Sequence, residues 1–189
     1  IIHSQWDGSM HSNAYIDPFY QKELQVASED TDGSTDEFCL RCHTPIGVVS
    51  GEAPDGKLSE VSTEGVQCDF CHSVSGNAGI GTANAPFILS PGNVQRGPLK
   101  GSKSTYHETR YSELHTKSEF CGMCHYVNNS NGVLVDDTYK VWKNNSYSSE
   151  GIQCQDCHMS PGITHFEANP GRSASGAPKR DHISPHYFE

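Results

Sequence analysis

Four stretches decide the reading of this chain: Cys39-Leu-Arg-Cys42-His43, Cys68-Asp-Phe-Cys71-His72, Cys121-Gly-Met-Cys124-His125 and Cys154-Gln-Asp-Cys157-His158. Together they hold all 8 cysteines. In Cys-x-x-Cys-His, two sulfurs bond the two vinyl edges of a porphyrin and the next histidine reaches its iron, so each stretch predicts one covalent c-type haem. The expected cofactors are four such haems. Their thioether positions are Cys39, Cys42, Cys68, Cys71, Cys121, Cys124, Cys154 and Cys157, and their proximal iron ligands are His43, His72, His125 and His158.

Two other uses of paired cysteines fit less well. Tetrahedral zinc takes Cys-x-x-Cys in twos but does not need the histidine that follows. Histidine occupies 11 of 189 positions. Finding it after all four pairs by chance has a probability of roughly 10⁻⁵, taking the spacing as given. A disulfide framework suits an exported chain, but four such pairs would close tiny loops and stabilise little.

Composition points the same way. Apolar residues, counted with Gly and without Tyr, make up about 39% of the chain, against about 45–50% in ordinary globular domains. Side chains alone would make a thin core, and four large flat apolar groups would complete it. The expected fold class is a multihaem cytochrome c, mostly irregular coil with short α-helices packed around four haems and little or no sheet. The chain carries 13 Lys+Arg against 23 Asp+Glu, a net charge of −10, with no basic cluster. That balance repels phosphate backbones, so no nucleic-acid partner is expected. No apolar stretch approaches the ~18 residues of a spanning helix, so no direct membrane span is expected. The first residue is Ile1 rather than Met. That fits a mature chain after signal-peptide removal and equally a chain trimmed there; export is the expectation.

Seven histidines remain outside the motifs: His3, His11, His107, His115, His165, His182 and His186. Four irons need at most four of them. They cluster near both termini and just ahead of the third motif, so bis-His ligation of most haems is expected. Methionine, the other common axial ligand, occurs only as Met10, Met123 and Met159, two of them inside or beside motifs. Low-potential, six-coordinate irons follow.

The chain repeats internally. Glu37-Phe38-Cys39 matches Glu119-Phe120-Cys121, and Glu64-Gly65-Val66-Gln67-Cys68 matches Glu150-Gly151-Ile152-Gln153-Cys154. This predicts a single tetrahaem domain over 1–189. It would comprise haem pair 1 at about 1–75, a connecting segment at about 76–106, haem pair 2 at about 107–165 and a C-terminal segment 166–189. Within a pair the motifs begin 29 and 33 residues apart, too far for one haem-bearing helix and close enough to keep the haems in contact. Ser34-x-x-Glu37 and Thr116-x-x-Glu119 are capping-box patterns ahead of motifs one and three. Asp17-Pro18 opens a helix running to about Ser28, and a second short helix includes Trp142. Residues 76–103 and 169–178, rich in Gly, Pro, Asn and Ser, read as irregular coil. Trp6, Trp142 and the tyrosines read as packing residues with no chemistry assigned. Asn128 and Asn144 head glycosylation sequons, of which about 1.7 are expected by chance, so they decide nothing.

Trp6-Asp-Gly-Ser9-Met10-His11-Ser12-Asn-Ala14-Tyr15, the Glu-Gly-Val-Gln-Cys-Asp-Phe-Cys-His block, and His107-Glu-Thr-Arg-Tyr-Ser-Glu-Leu-His115 leading into Cys121 resemble exported multihaem cytochromes. The resemblance is strongest to the OmcE-type tetrahaem cytochromes and their archaeal relatives, which polymerise into extracellular filaments. It extends more distantly to the tetrahaem electron carrier of ammonia oxidisers. It implies His11 as distal ligand to the haem of His72, and by the repeat His115, with His107 eight residues earlier, as distal ligands in the second unit. Arg180-Asp181-His182-Ile-Ser-Pro-His186-Tyr-Phe188 resembles the closing His-x-Phe segment, which favours His186 over His182; the glycines that follow it in the family are absent. His165 matches no family position. In filament members one subunit supplies a distal histidine to its neighbour, and His3, at the extreme terminus, is a candidate donor.

The resemblance therefore implies extracellular electron transfer by a polymer of this chain with copies of itself, through closely packed bis-His haems. Its redox partners would be proteins or extracellular acceptors. The chain would be an electron-transfer protein rather than an enzyme, exported to the cell surface or beyond, with the periplasm as the alternative. A discrete exported carrier uses the same haems without a polymer and would dock a basic partner by its acidic surface. An oxidoreductase acting on a small nitrogen or sulfur compound needs an iron with an open position, which the spare histidines argue against. A membrane quinol dehydrogenase would need an anchor helix that this sequence does not contain.

Overall fold

The computed structural model describes residues 2–53, 57–79, 82–161 and 168–188. Its contacts group into two compact units, residues 3–71 with Phe188, and residues 72–187.

The first unit is helical. Short helices α1 (Ile2–Asp7) and α2 (Met10–Asn13) are joined by Ser9, whose hydroxyl caps α2 by accepting from the Ser12 N–H. Asp17 caps α3 (Pro18–Thr31), accepting from the Tyr20 N–H at 2.8 Å, with Pro18 at the first helical position. The helix runs past Ser28 to Thr31, whose hydroxyl donates back to the Ala27 carbonyl at 2.6 Å. It stops at Asp32 and Gly33, both left-handed. α4 (Asp36–His43) and α5 (Pro45–Val49) follow. The cap expected at Ser34 does not form: α4 begins one residue later, with Thr35 at its N-cap making no side-chain cap bond. The Thr35 hydroxyl pairs instead with that of Thr31 at 2.9 Å. α6 (Cys68–Ser73) carries the second motif.

The second unit adds sheet where the sequence suggested coil. β1 (Val74–Asn77) pairs antiparallel with β2 (Phe87–Leu89), β3 (Val94–Gly97) parallel with β4 (Glu108–Tyr111), and β5 (Val127–Asn128) antiparallel with β6 (Leu134–Asp136). The expectation of irregular coil over 76–103 is thereby corrected. Val74, Phe87, Ile88, Leu89 and Val94 are strong strand formers, and each finds one partner strand between the Gly, Asn and Pro turns. Each ladder has only two strands, so helix and coil still carry the architecture.

α7 (Ser118–Gly122), α8 (Thr138–Lys143), α9 (Ser146–Ser149) and α10 (Cys154–His158) complete the unit. Thr116 does not cap α7; it ends a 3₁₀ turn, Leu114–Thr116, and its hydroxyl donates to the Glu113 carbonyl. The capping box that does form belongs to α10, between Gln153 and Asp156. Near the C-terminus, Asn169 holds Ile183 through two hydrogen bonds of 2.6 and 2.8 Å, and Gly171 bridges Arg180.

The apolar interior is small. Trp6, Leu40, Ala53 and Phe70 are buried in the first unit, and Val74, Ala85, Met123, Tyr139, Ala177 and Ile183 in the second. Helix α3 buries none of its residues. Among the described residues no helix is long and apolar enough to cross a membrane.

Candidate haem-attachment sites

In α4, α6 and α10 the two cysteines of a motif stand three residues apart on a helical turn with the histidine four after the first, which puts all three side chains on one face. The third motif reaches the same arrangement differently. Only Cys121 lies inside α7, and the Cys124 and His125 N–H groups both donate to the Cys121 carbonyl, at 3.1 and 2.9 Å. No disulfide joins any of the eight cysteines. Desolvation pushes the Cys71 thiol up to about 12. The Cys154 thiol moves the other way, to about 6, chiefly through its hydrogen bond with Cys121 and further through the Ser118 hydroxyl and His158. The attachment cysteines of motifs three and four thus meet.

The proximal histidines test whether haem fits. A neutral imidazole ligates metal through the nitrogen that lacks the proton, and a hydrogen bond at the other nitrogen fixes which one that is. His43 Nδ1 lies 2.7 Å from the Ala14 carbonyl, and His72 Nδ1 lies 2.5 Å from the Arg96 carbonyl. A carbonyl only accepts, so Nδ1 holds the proton in both rings and Nε2 is the nitrogen that could ligate iron. Tyr20 stacks flat on His43, centroids 3.7 Å apart, with burial holding the pKa of its phenol far above the ordinary value. His125 Nδ1 faces the Asp136 carboxylate at 3.7 Å. The donor set fits covalent haem.

The spare histidines separate by the same test. His186 Nδ1 donates to the Ser184 carbonyl at 3.0 Å and His107 Nδ1 to the Glu108 carbonyl at 3.0 Å, which makes Nε2 the unprotonated nitrogen in each. His115 is buried, with Nδ1 2.8 Å from the Ser112 hydroxyl and its ring against Phe120. His182 Nδ1 instead accepts from the Asn169 N–H at 3.3 Å, so its Nε2 carries the proton and is not poised for iron. Burial, then the neighbouring His72, pushes His186 down to about 4, keeping it neutral.

Two of these rings face His72. An iron held between two imidazoles by bonds of about 2 Å sets their centroids about 6 Å apart. His115 lies 6.0 Å from His72 with the rings nearly parallel, at 12°, and His186 lies 6.4 Å away at 32°. The described ring contact of His11 is edge-on to Phe188 at 4.3 Å. His3 meets Trp6 edge-on at 5.4 Å. His165 lies outside the described residues.

Sequence reasoning passed over the tryptophans. Trp6 Nε1 donates to the Val66 carbonyl and Trp142 Nε1 to the Ile152 carbonyl, each at 2.8 Å. Val66 and Ile152 are the matching residues of the two Glu-Gly-(Val/Ile)-Gln-Cys blocks. Each indole therefore fixes the strand of chain that delivers a motif. The signal was present as two tryptophans for two blocks, but their separations in sequence, 60 and 10 residues, hide it.

Residues 2–73 match the family described as cytochrome c554 and c-prime. No curated protein matches the chain. Among solved structures, a penta-heme cytochrome c552 from Thermochromatium tepidum superposes over the whole chain with a TM-score of 0.67 at 19% identity. The chain spans 54% of the length of that structure. The fold is that of multihaem c-type cytochromes.

Proposed function

We propose that this chain is an exported electron-transfer protein that holds four c-type haems. Bound haem supplies a one-electron couple between ferric and ferrous iron. The chain's own contribution is to fix that iron and close it. Cys39 to His43, Cys68 to His72, Cys121 to His125 and Cys154 to His158 attach the groups. His115 or His186 covers the open face at His72, and His107 and His11 remain for other irons. The observation that carries this reading is the tautomer pattern: His43, His72 and His186 each donate from Nδ1 to a carbonyl, which makes Nε2 the ligating nitrogen, and His186 and the buried His115 lie at ligation spacing from His72. Six-coordinate iron has no position for a substrate, which favours electron transfer over catalysis.

The finer reading is a subunit of an extracellular filament, polymerised with copies of itself and with His3 donated across the junction. Its support is the resemblance of the Trp6–Tyr15, Glu64–His72 and His107–Cys121 segments to filament-forming cytochromes. The net charge of −10 favours a second reading, a discrete carrier that docks a basic partner, because like-charged copies repel. Intact mass and electron microscopy of the purified haem-loaded protein test both. Four added haem masses and filaments with a regular subunit repeat are expected. Discrete particles across salt and pH would move the function to the carrier, and a high-spin ferric signal would overturn the closed-iron reading.

A further inference from the structure

The proximal histidines have unlike neighbours behind them. His43 and His72 donate from Nδ1 to neutral carbonyls, those of Ala14 and Arg96. His125 faces a charge. The β5–β6 hairpin directly after the third motif pairs Val127 with Asp136, which returns Asp136 to the motif's histidine. Thr138 then aims it: its N–H and its hydroxyl both donate to Asp136 Oδ1, at 2.9 and 2.7 Å. The other oxygen, Oδ2, is left toward His125 Nδ1 at 3.7 Å. The Tyr139 N–H, one residue on, donates to the His125 carbonyl at 2.9 Å and ties the hairpin's exit to the same residue.

The geometry points to Asp136 as a positioning residue that lowers the potential of the haem at Cys121 and Cys124. At 3.7 Å the carboxylate lies beyond hydrogen-bonding distance of Nδ1 and acts through its charge. Its field stabilises the ferric state, since ferric iron carries one more positive charge than ferrous. A carboxylate behind His125 would thus draw the resting electron away from that haem.

This inference rests on the haem-attachment reading, so the test measures both in one sample. Intact mass reports covalent haem, and a spectropotentiometric titration with paramagnetic resonance reports the individual irons. In D136N we expect one component of the titration to move to higher potential with the others unmoved, and D136E to restore it by returning the carboxylate. Unmoved potentials at full haem content would overturn the inference alone, as would D136E shifting like D136N. No covalent haem on the unsubstituted chain would overturn both readings. If D136N fails to load haem, D136S removes the carboxylate while keeping a polar side chain at that turn; the same component must then rise, and its failure to rise overturns the inference.

Discussion

Residues 64–72 and 150–158 carry nearly one block, Glu-Gly-(Val/Ile)-Gln-Cys-x-x-Cys-His, and the fold supports them by different means. Both have a left-handed glycine and both offer a carbonyl to a tryptophan. Beyond that they diverge. Before Cys68, Gly65 is pressed against the backbone of α2, and the Val66 N–H donates to the His11 carbonyl at 2.9 Å. Before Cys154, Gly151 faces open space, and the work falls to side chains: Gln153 Oε1 accepts from the Ser118 N–H and the Ser118 hydroxyl accepts from the Cys154 N–H, each at 2.8 Å. A repeat conserves the covalent chemistry it must deliver while each copy finds its own packing.

The same exchange occurs inside motifs one and three. Leu40 is buried in Cys39-Leu40-Arg41-Cys42, whereas the matching residue is Gly122, where a Cβ would come within 2.5 Å of the Tyr139 ring. Tyr139 supplies from α8 the apolar mass that Leu40 supplies from within its own motif. The compensation is one of volume, which close-packed interiors demand.

The largest expected contrast is between the tryptophans. Trp6 is 6% exposed and Trp142 only half-buried. Trp6→Ala should cost about 4 kcal/mol through lost burial and a stranded Val66 carbonyl, and Trp142→Ala about 2 kcal/mol, dominated by the stranded Ile152 carbonyl. Urea unfolding of the haem-loaded variants followed by circular dichroism measures both. Equal losses would break the claim that the two indoles do the same job in unequal surroundings.

Glycine sharpens the contrast. Gly65 has φ 71° and ψ −129°, and an added Cβ would meet the His11 carbonyl oxygen at 2.5 Å. Gly65→Ala should therefore cost about 3 kcal/mol, from a backbone region closed to side chains together with displacement of α2. Gly151→Ala, left-handed but unobstructed, should cost about 1 kcal/mol. The same unfolding experiment decides it, and a Gly151 variant as damaged as that of Gly65 would show that the open space at Gly151 is needed.

Legibility from sequence followed the range of the interaction. The motifs, the repeat and α3 were readable because each rests on neighbours a few residues apart: Cys-x-x-Cys-His spacing, a duplicated pentapeptide, Asp17 ahead of Pro18. The short ladders were missed because Gly and Asn around residues 76–103 spoke for coil, while pairing of Val74 with Leu89 and of Val94 with Glu108 depends on partners the local pattern does not name. The tautomers that divide His186 from His182 depend on whether a carbonyl or an N–H arrives at Nδ1, and that is set by the tertiary course of residues 169–186. Asp136 was passed over for the same reason, although Asp136-Asp137-Thr138 is the local pattern of a carboxylate held by its own turn.

Helix starts give the smallest contrast and the most direct test of local reading. Ser34-x-x-Glu37 looks like a capping box and does not act as one, because α4 starts from Thr35 without a side-chain cap. Gln153-x-x-Asp156 does close, with Asp156 Oδ2 accepting from the Gln153 N–H at 2.7 Å. In the earlier block the residue matching Asp156 is Phe70, buried at 4% exposure, so that copy exchanges a capping bond for apolar packing. Asp156→Ala should cost about 1 kcal/mol, because the Gln153 N–H loses its acceptor at the start of α10. Ser34→Ala should stay within about 0.5 kcal/mol of the parent. Thermal melts of the two variants side by side measure the difference, and a Ser34 loss as large as that of Asp156 would place a working cap at the head of α4 after all.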